Sequence, residues 1–498
     1  MKYISTRGSE EKFTSAAAII KGLAPDGGLF VPESMPTLSC SLKNLKDAPY
    51  KDTVQRILSA FLTDFTDAEL SLCAERAYDA KFDTPDIAPV VKTEEAFFLE
   101  LWHGSTAAFK DMALSALPWL LKAAVRKESE DKKIAILTAT SGDTGKAALS
   151  GFADVPGTEI FCFYPKDGVS AVQERQMLTQ GGGNAHVFGI RGNFDEAQTG
   201  VKNIFADDSF AAELERHDIR LSSANSINIG RFVPQIAYYI YAYARMLADG
   251  EIEDGEKINI CVPTGNFGNI LSAWYAKQAG LPVASIICAS NENNILTDFI
   301  ETGVYDTRRK FILTSSPSMD ILVSSNLERL LWHLSGGDSG LIKTLMAELD
   351  ANGIYKIDED VKALLGAEFH GGFADMQTSH AALADLWNEE KYLIDTHTAV
   401  AYAVCTNYRK KTGDDTKTLI VSTASPYKFA GSVAGAIGIE KGEDEFKTIE
   451  NLEKATGIQV PACLRDLDKK PVLHDAVIEK TGIKAAISNA LFREDSNV

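Results

Sequence analysis

The amino-acid sequence has few cysteines and no pattern that would tie them together. Its seven cysteines are odd in number and scattered along 498 residues, and no CxxC pair occurs. These features indicate neither a disulfide framework nor a cysteine zinc site. The eight histidines show no HExxH or comparable spacing, so we predict no metal centre. We expect reduced thiols and a cytoplasmic protein. The cysteines are Cys40, Cys73, Cys162, Cys261, Cys288, Cys405 and Cys463.

Long apolar runs and an excess of positive charge are also missing. No apolar run reaches the length of a membrane span, and the N-terminus lacks a basic segment followed by a hydrophobic one. The formal net charge is −19, which argues against nucleic acid and anionic membranes as partners. We therefore expect a protein that is not secreted and binds neither nucleic acid nor a membrane.

The composition and the order of apolar segments predict an α/β protein. With 45% hydrophobic and 24% charged residues in 498 positions, the chain is long enough for two or three packed units. Strand-like runs at 134–137, 160–164 and 185–190 alternate with helix-like segments. Such alternation is typical of a parallel sheet that is covered on both faces. We predict a small α/β domain over residues 130–222.

A single lysine, Lys110, stands in the stretch HGSTAAFKD, where a polar loop gives way to a helix-like run. A buried amine is easier to deprotonate and becomes a nucleophile toward a carbonyl, with which it forms a Schiff base. The alternative is an ordinary lysine at a helix start that reaches water.

Two glycine-containing turns each follow a strand-like run and precede a helix. The first is ATSGDTG at 139–145, and the second is PTGNFGN at 263–269. At such places, unpaired main-chain amides and the positive end of the helix dipole favour an anion. The alternative in each case is a plain turn that serves packing. Neither turn has the GxxxxGK[ST] spacing of a phosphate-binding Walker loop.

Other polar residues have less specific surroundings. Arg231 ends the phrase SSANSINIGR, and its planar guanidinium suits a carboxylate or a phosphate. Thr423 follows a buried strand, where its hydroxyl could simply bond the backbone. We interpret Glu328 and Arg329 as an ordinary solvated pair. We expect Gly371 and Gly372 to interrupt a helical section between 340 and 395.

Several of these phrases together resemble the threonine synthase family, whose enzymes depend on pyridoxal 5'-phosphate (PLP). HGSTAAFKD resembles HGPTxAFKD, PTGNFGN resembles the family's phosphate-binding turn, and STASPYKF resembles STAHPAKF. The opening YISTRG and the phrase PDGGLFVP resemble the longer class of the family. Four residues depart from the family pattern, which has proline, proline, histidine and alanine at these places: Ser105, Thr396, Ser425 and Tyr427.

The resemblance implies a fold and a division of the chain. The fold is α/β, PLP-dependent fold type II (tryptophan synthase β-like), with two α/β domains containing parallel-rich sheets and an N-terminal helical extension. The expected segments are the extension at 1–95, a cofactor-lysine segment of the large domain at 96–129, the small domain at 130–222, and the large PLP-binding domain at 223–498.

The resemblance also implies roles for single residues. Lys110 would carry the cofactor and act as the catalytic base, and Thr423 would face the pyridine nitrogen. The cofactor phosphate would lie against Gly265, Asn266, Phe267, Gly268 and Asn269. Substrate candidates are Thr140, Ser141, Gly142, Asp143, Thr144, Asn228 and Arg231. His397 is expected to be a packed structural residue.

The reaction implied by the resemblance converts O-phospho-L-homoserine and water to L-threonine and phosphate, in a monomer or a homodimer. One alternative is a related PLP lyase, such as a threonine or serine dehydratase. Another is a non-catalytic relative that keeps the fold to bind a ligand or partner.

Overall fold

The computed structural model describes residues 1–38, 41–128 and 132–492. Cys40 lies outside the described residues, and the six other cysteines are free thiols. Within the described ranges, no helix is both long and apolar enough to cross a membrane.

The strands are β1 (Tyr3–Ser5), β2 (Phe30–Pro32), β3 (Val90–Lys92), β4 (Phe97–Glu100), β5 (Lys133–Ala139), β6 (Thr158–Pro165), β7 (Ala185–Arg191), β8 (Ile219–Ser223), β9 (Ile258–Pro263), β10 (Val283–Ser290), β11 (Val304–Asp306), β12 (Ile354–Lys356), β13 (Phe369–Phe373), β14 (Thr418–Ser422) and β15 (Val477–Glu479).

The helices are α1 (Ser15–Lys21), α2 (Tyr50–Phe61), α3 (Asp67–Ala77), α4 (Lys110–Leu114), α5 (Leu117–Lys127), α6 (Asp143–Phe152), α7 (Ala171–Leu178), α8 (Phe194–Phe205), α9 (Asp208–Arg216), α10 (Ile229–Phe232), α11 (Pro234–Ala248), α12 (Gly268–Gln278), α13 (Ile295–Thr302), α14 (Leu327–Leu334), α15 (Ser339–Asn352), α16 (Glu359–Glu368), α17 (Met376–Glu390), α18 (Thr396–Thr412), α19 (Ala430–Ala436), α20 (Glu445–Thr456) and α21 (Ile483–Leu491).

The smaller sheet has five strands in the order β15-β7-β6-β5-β8, and all its pairs are parallel. Alternate residues of β5 pack into two different hydrophobic cores, one on each face of the sheet. Ile134 and Ile136 pack with helix α6 on one side, and Ala135 and Leu137 pack with α8 and α9 on the other. This confirms the predicted parallel sheet with both faces covered.

The larger sheet has six strands in the order β13-β10-β9-β14-β4-β3, and only the β3–β4 pair is antiparallel. Strands β9 and β14 are neighbours at its centre, and both are buried along their whole length. Since parallel strands end at the same edge of a sheet, the turn after β9 and the hydroxyl-rich segment after β14 lie side by side.

Three strands lie where the sequence analysis did not place them. The expected break at Gly371 and Gly372 is part of the edge strand β13. A Cβ on Gly372 would lie 2.7 Å from Cγ1 of Val404 in α18, so this glycine permits close helix packing. Strand β15 joins the smaller sheet from beyond residues 130–222, and β3 joins the larger sheet from within 1–95. Both are three residues long, too short for a clear alternating pattern.

The interpretation of Glu328 and Arg329 as a solvated pair is wrong. Glu328 accepts hydrogen bonds from Thr6 Oγ1 at 2.5 Å and from Arg7 Nη2 at 2.9 Å. Arg329 has none of its surface exposed, and its Nε donates to Phe30 O at 2.9 Å. Adjacent residues of a helix point in different directions, so opposite charges side by side in sequence need not pair. The two residues instead connect helix α14 to the first part of the chain, around β1 and β2.

Candidate active site

Lys110 is held in place by a short pairing between two distant parts of the chain. The amide of Phe109 donates to Thr423 O at 2.8 Å, and the amide of Ser425 donates to Ala107 O at 3.1 Å. Ala107 adopts a left-handed conformation with φ of 55°, which turns the chain into helix α4. The pairing places Lys110 beside the end of β14, next to Thr423.

The Lys110 amine lies in a mostly buried polar site. Its Nζ is 3.4 Å from Asp143 Oδ2, 3.2 Å from Ser318 Oγ and 4.9 Å from the centre of the Phe109 ring. Burial lowers the pKa of Lys110, Asp143 opposes this effect, and the positive charges of Lys428 and Arg231 lower the pKa further. The amine is therefore more available as a base and a nucleophile than a solvated lysine.

Asp143 connects Lys110 to a second lysine that the sequence analysis did not single out. Lys428 Nζ is 2.9 Å from Asp143 Oδ1, and its side chain is fully buried. Gln173 Nε2 donates to the same oxygen at 2.8 Å. Burial raises the pKa of Asp143, but Lys428 and Lys110 outweigh it and hold this pKa well below its usual range. Asp143 is thus a carboxylate between two cations, and the only sequence signal for Lys428 was its place in PYKF.

The turn that contains Asp143 is fixed by its own hydroxyl and by α7. Thr140 Oγ1 accepts from the amides of Gly142 and Gly145, both at 2.9 Å. Gly142 has a φ of 139°, and a Cβ there would lie 2.5 Å from Cδ of Gln173. Ser141 is exposed and Thr144 is half-buried at the start of α6. This turn therefore presents Ser141 and Thr144 toward open space beside the buried Asp143.

Arg231 and Asn228 have different surroundings. Arg231 is 5% exposed, donates to Ala224 O at 2.7 Å, and is close enough to Lys110 to lower its pKa. Burial lowers the pKa of Arg231 to about 10. Asn228 caps α10, with Oδ1 accepting from the Gly230 amide at 2.8 Å and Nδ2 donating to Ile19 O at 2.9 Å. The structure thus brings Arg231 toward the lysine, while both polar atoms of Asn228 are used within the fold.

The glycine turn after β9 lies on the other side of Ser318. Phe267 is left-handed with φ of 61°, and α12 begins at Gly268. A Cβ on Gly265 would lie 2.6 Å from Ser318 O, so only glycine lets the two loops approach this closely. Ser324 Oγ donates to Gly265 O at 2.7 Å, and the amide of Asn326 donates to Asn266 O at 3.2 Å. The turn is therefore fixed before any ligand binds.

Asn269 offers an unused buried donor at this turn. Its Oδ1 accepts from Tyr238 Oη at 2.7 Å and from Tyr239 Oη at 2.5 Å. Its Nδ2 is buried and has no partner among the described residues. The first amides of α12 also lack intrahelical acceptors. Because an unpaired buried donor is unfavourable, the turn is suited to an anion that accepts these hydrogen bonds.

His397 supports the loop of Ser318, which lies between Lys110 and the glycine turn after β9. Its Nε2 accepts from the Ser318 amide at 3.1 Å, and its Nδ1 is 2.8 Å from Asp395 Oδ1. Asp395 also caps α18. Since Nε2 is the acceptor, Nδ1 carries the hydrogen that faces Asp395. His397 is therefore a structural support, as expected, and Ser318 contacts the Lys110 amine.

Comparison with known families covers most of the chain. Residues 2–78 match the family "Threonine synthase N terminus", residues 83–424 match "Pyridoxal-phosphate dependent enzyme", and residues 398–473 match "Threonine synthase, C-terminal". Threonine synthase of Saccharomyces cerevisiae is 34% identical over 91% of this chain and 94% of its own length. The chain belongs to the threonine synthase family.

Solved structures of the threonine synthase family have the same fold. PLP-bound threonine synthase from Brucella melitensis has a TM-score of 0.88 and 32% identity, covering 99% of this chain and all of its own. The yeast threonine synthase structure also has a TM-score of 0.88, with 31% identity and 99% of both chains covered. These likenesses confirm PLP-dependent fold type II.

Human "Threonine synthase-like 1" is 37% identical over the full length of this chain, which spans 67% of that relative. The family assignment identifies the cofactor as PLP and the protein as a PLP-dependent lyase that acts on a phosphate ester. The geometry fits this cofactor, because a lysine amine with a lowered pKa and a turn with an unpaired Asn269 donor face the same loop, that of Ser318.

Proposed function

We propose that this chain converts O-phospho-L-homoserine and water to L-threonine and inorganic phosphate. The observation that carries the proposal is the position of Ser318. Its Oγ lies 3.2 Å from the Lys110 amine, and its carbonyl oxygen lies 2.6 Å from where a Cβ on Gly265 would be. The lysine and the glycine turn therefore approach the same residue, although they are far apart in sequence.

In this proposal, each part of PLP meets a separate part of the chain. Lys110 would hold the cofactor through its aldehyde carbon, with loss of water. Gly265, Asn266, Phe267, Gly268 and Asn269 would hold the phosphate. Thr423 would face the pyridine nitrogen, because Phe109 donates to its carbonyl oxygen and so places it beside Lys110. When bound, PLP supplies the electron sink that makes removal of the substrate α-proton feasible.

Lys110 is the general base of the proposed reaction. Its Nζ takes and returns protons at the α- and β-carbons of the substrate. Asp143 and Lys428 hold the amine in place and set its charge, and their ion pair is buried at 2.9 Å. Closure of the small domain over the cleft keeps water out until phosphate has left.

The substrate's acidic groups are assigned to the turn at 140–144 and to Arg231. Ser141 and Thr144 offer hydroxyls at the start of α6, where the helix dipole favours an anion. Arg231 supplies the buried positive charge that a carboxylate or phosphate needs. The proposal retains Asn228 as the cap that positions Arg231, because its amide is bound to Ile19 and Gly230.

The direct experiment supplies the PLP-loaded protein with O-phospho-L-homoserine and measures L-threonine, phosphate and 2-oxobutyrate together. We expect equal amounts of threonine and phosphate. 2-Oxobutyrate as the main product would indicate a dehydratase, and no turnover despite bound PLP would indicate a binding protein. Lys110→Ala removes both turnover and the visible absorption of lysine-bound PLP. The proposal includes a cytoplasmic location and a monomer or homodimer, which light scattering on the purified protein distinguishes.

A further inference from the structure

A second cavity of about 280 Å³ lies between the small domain and the C-terminal segment. Its volume is close to the lower end for ligand pockets, about 300 Å³. Among the described residues, neither Lys110 nor the glycine turn contributes to its lining. The polar lining residues that matter here are Ser105, Lys146, Ser150, Gln176, Thr179 and Lys470.

Lys146 is a buried cation in this cavity, and no carboxylate of the described residues is hydrogen-bonded to it. It is 8% exposed, and within the described ranges its Nζ has one hydrogen-bond acceptor, Gln180 Oε1. Burial lowers the pKa of Lys146 to about 8, while Asp111 opposes this effect. Lys470 lines the same space, and no described lining residue is acidic. Two lysines without a carboxylate favour a bound anion.

Gln176 adds an unused acceptor to the two cations. The residue is 1% exposed, and its Oε1 is buried without a hydrogen-bond partner in the described part of the chain. Its Nε2 donates to Thr106 O at 3.4 Å, which leaves Oε1 without a donor. An occupant must therefore carry an O–H or N–H group as well as negative charge.

Ser105 supplies a hydroxyl where the threonine synthase family usually has proline. Its Oγ is 2.6 Å from Ser150 Oγ, so one of the two hydroxyls donates to the other. The hydroxyl that accepts this hydrogen bond still has its own hydrogen to donate into the cavity. A proline at 105 would remove this pair, so the departure from the family pattern adds a donor at this place.

We propose that the cavity binds a phosphate group, either as inorganic phosphate or as a small phosphate monoester that carries an O–H or N–H group of its own. Negative oxygens meet Lys146, Lys470 and the serine hydroxyls, and the protonated oxygen of hydrogen phosphate donates to Gln176 Oε1. Sulfate and an ionised carboxylate have no proton to donate, so phosphate is preferred over both. Inorganic phosphate is also a product under the proposed function, but the site does not depend on that reaction.

The wall of the cavity is built before a ligand arrives. Arg175 Nη2 donates to Asp468 O and Lys470 O, both at 2.6 Å, and so fixes the backbone beside Lys470. Gln176 and Lys428 both donate to Thr106 O, and Lys428 pairs with Asp143 beside Lys110. An occupant therefore contacts residues that are linked to the catalytic lysine, so we expect its binding to shift the visible absorption of bound PLP.

The test titrates inorganic phosphate into the PLP-loaded full chain by calorimetry, with the cleft filled by a phosphonate analogue of the proposed substrate. We expect one phosphate per chain and about tenfold weaker binding of sulfate, because sulfate cannot donate to Gln176. A parallel titration with O-phosphoethanolamine shows whether a monoester or inorganic phosphate binds more tightly. If the analogue displaces phosphate, or if sulfate binds equally well, the proposal is wrong.

Two neighbouring lysines provide a matched comparison. Lys470→Ala weakens phosphate binding about tenfold, because one of the two cations is lost. Lys469→Ala leaves it within about twofold, because Lys469 does not line the cavity and pairs with Asp466 at 2.6 Å. Ser105→Pro also weakens binding, and Lys146→Gln abolishes it if the variant folds. Equal effects at positions 469 and 470, or no binding below about 10 mM phosphate, would overturn the proposal.

Discussion

Asp143 lies between two lysines, with Oδ1 2.9 Å from Lys428 and Oδ2 3.4 Å from Lys110. The three charged groups are almost completely buried. Under the proposed function, Lys110 would transfer protons beside a fixed carboxylate whose charge is balanced by Lys428. This arrangement separates the amine that reacts from the amine that compensates charge.

Substitutions at Asp143 and Lys428 should move the pKa of Lys110 in opposite directions. Asp143→Asn removes the charge that raises this pKa and should lower it, whereas Lys428→Gln removes a charge that lowers it and should raise it. Acylation of Lys110 in cofactor-free protein, followed across pH by peptide mass spectrometry, reports both shifts. Shifts of the same sign would contradict the proposed balance. Turnover should fall by about 10²-fold in each variant.

Gly265→Ala should weaken PLP binding by about tenfold or more, because the new Cβ would lie 2.6 Å from Ser318 O and force the loops apart. The control is Gly366→Ala in α16, where a Cβ meets nothing within 4 Å. That variant should keep normal affinity and gain stability of up to about 1 kcal/mol from helix propensity. The measurement is a fluorescence titration of cofactor-free protein with PLP. Equal PLP affinity of the two variants would show that Gly265 is not needed for cofactor binding.

Asn269→Asp should reduce PLP affinity more strongly than Asn269→Ala. The aspartate would replace the unpaired Nδ2 donor with an oxygen and bring a negative charge to the bound phosphate. Asn352→Asp, at the exposed end of α15, controls for an added charge on the protein. Both affinities are measured at high and low salt. If aspartate and alanine at 269 behave alike, this amide does not face an anion.

Stability should fall between neutral and alkaline pH because of His103. Burial alone lowers the pKa of His103, but hydrogen bonds to Asp83 at 2.6 Å and Glu100 at 2.8 Å outweigh it and raise the pKa to about 9. The folded pKa lies above the unfolded value of about 6.5, so the stabilisation is complete below pH 6.5 and is lost as pH rises through 9.

The free energy of unfolding contributed by His103 is at most about 3 kcal/mol. The contribution is smaller than this limit because the Asp83 side chain is partly exposed to solvent. His103→Gln should be less stable at pH 6 and should show a flatter pH profile in urea unfolding. His217→Gln, at an exposed histidine just after α9, serves as the control. An unchanged slope in His103→Gln would mean that other groups cause the pH dependence.

Sequence patterns predicted the elements that are long or contain a distinctive sequence motif. The apolar runs that became β9 and β14 ended in the expected turns. The sequence could not show that the amide of Asn269 is held by two tyrosines of α11, because that contact depends on how helices pack. For the same reason the sequence did not single out Lys428: its role depends on Asp143 at the start of α6, which is distant in the sequence.

Short or glycine-rich elements were predicted less well. Strand β13 contains Gly371 and Gly372, which have no side chains and so show no alternation of apolar and polar residues. Glycine is required there because neighbouring helices pack closely against the strand. Glu328 and Arg329 showed that charge alone does not predict exposure. Their partners Thr6, Arg7 and Phe30 come from the opposite end of the sequence. Such long-range partners leave no local signal.

The pairing of Phe109 with Thr423 has a consequence for biosynthesis. Lys110 leaves the ribosome long before the strand that orients it has been translated. A nascent chain that lacks β14 therefore has Lys110 but not the backbone that holds its loop. Under the proposed function, stable PLP attachment would await near-completion of the polypeptide.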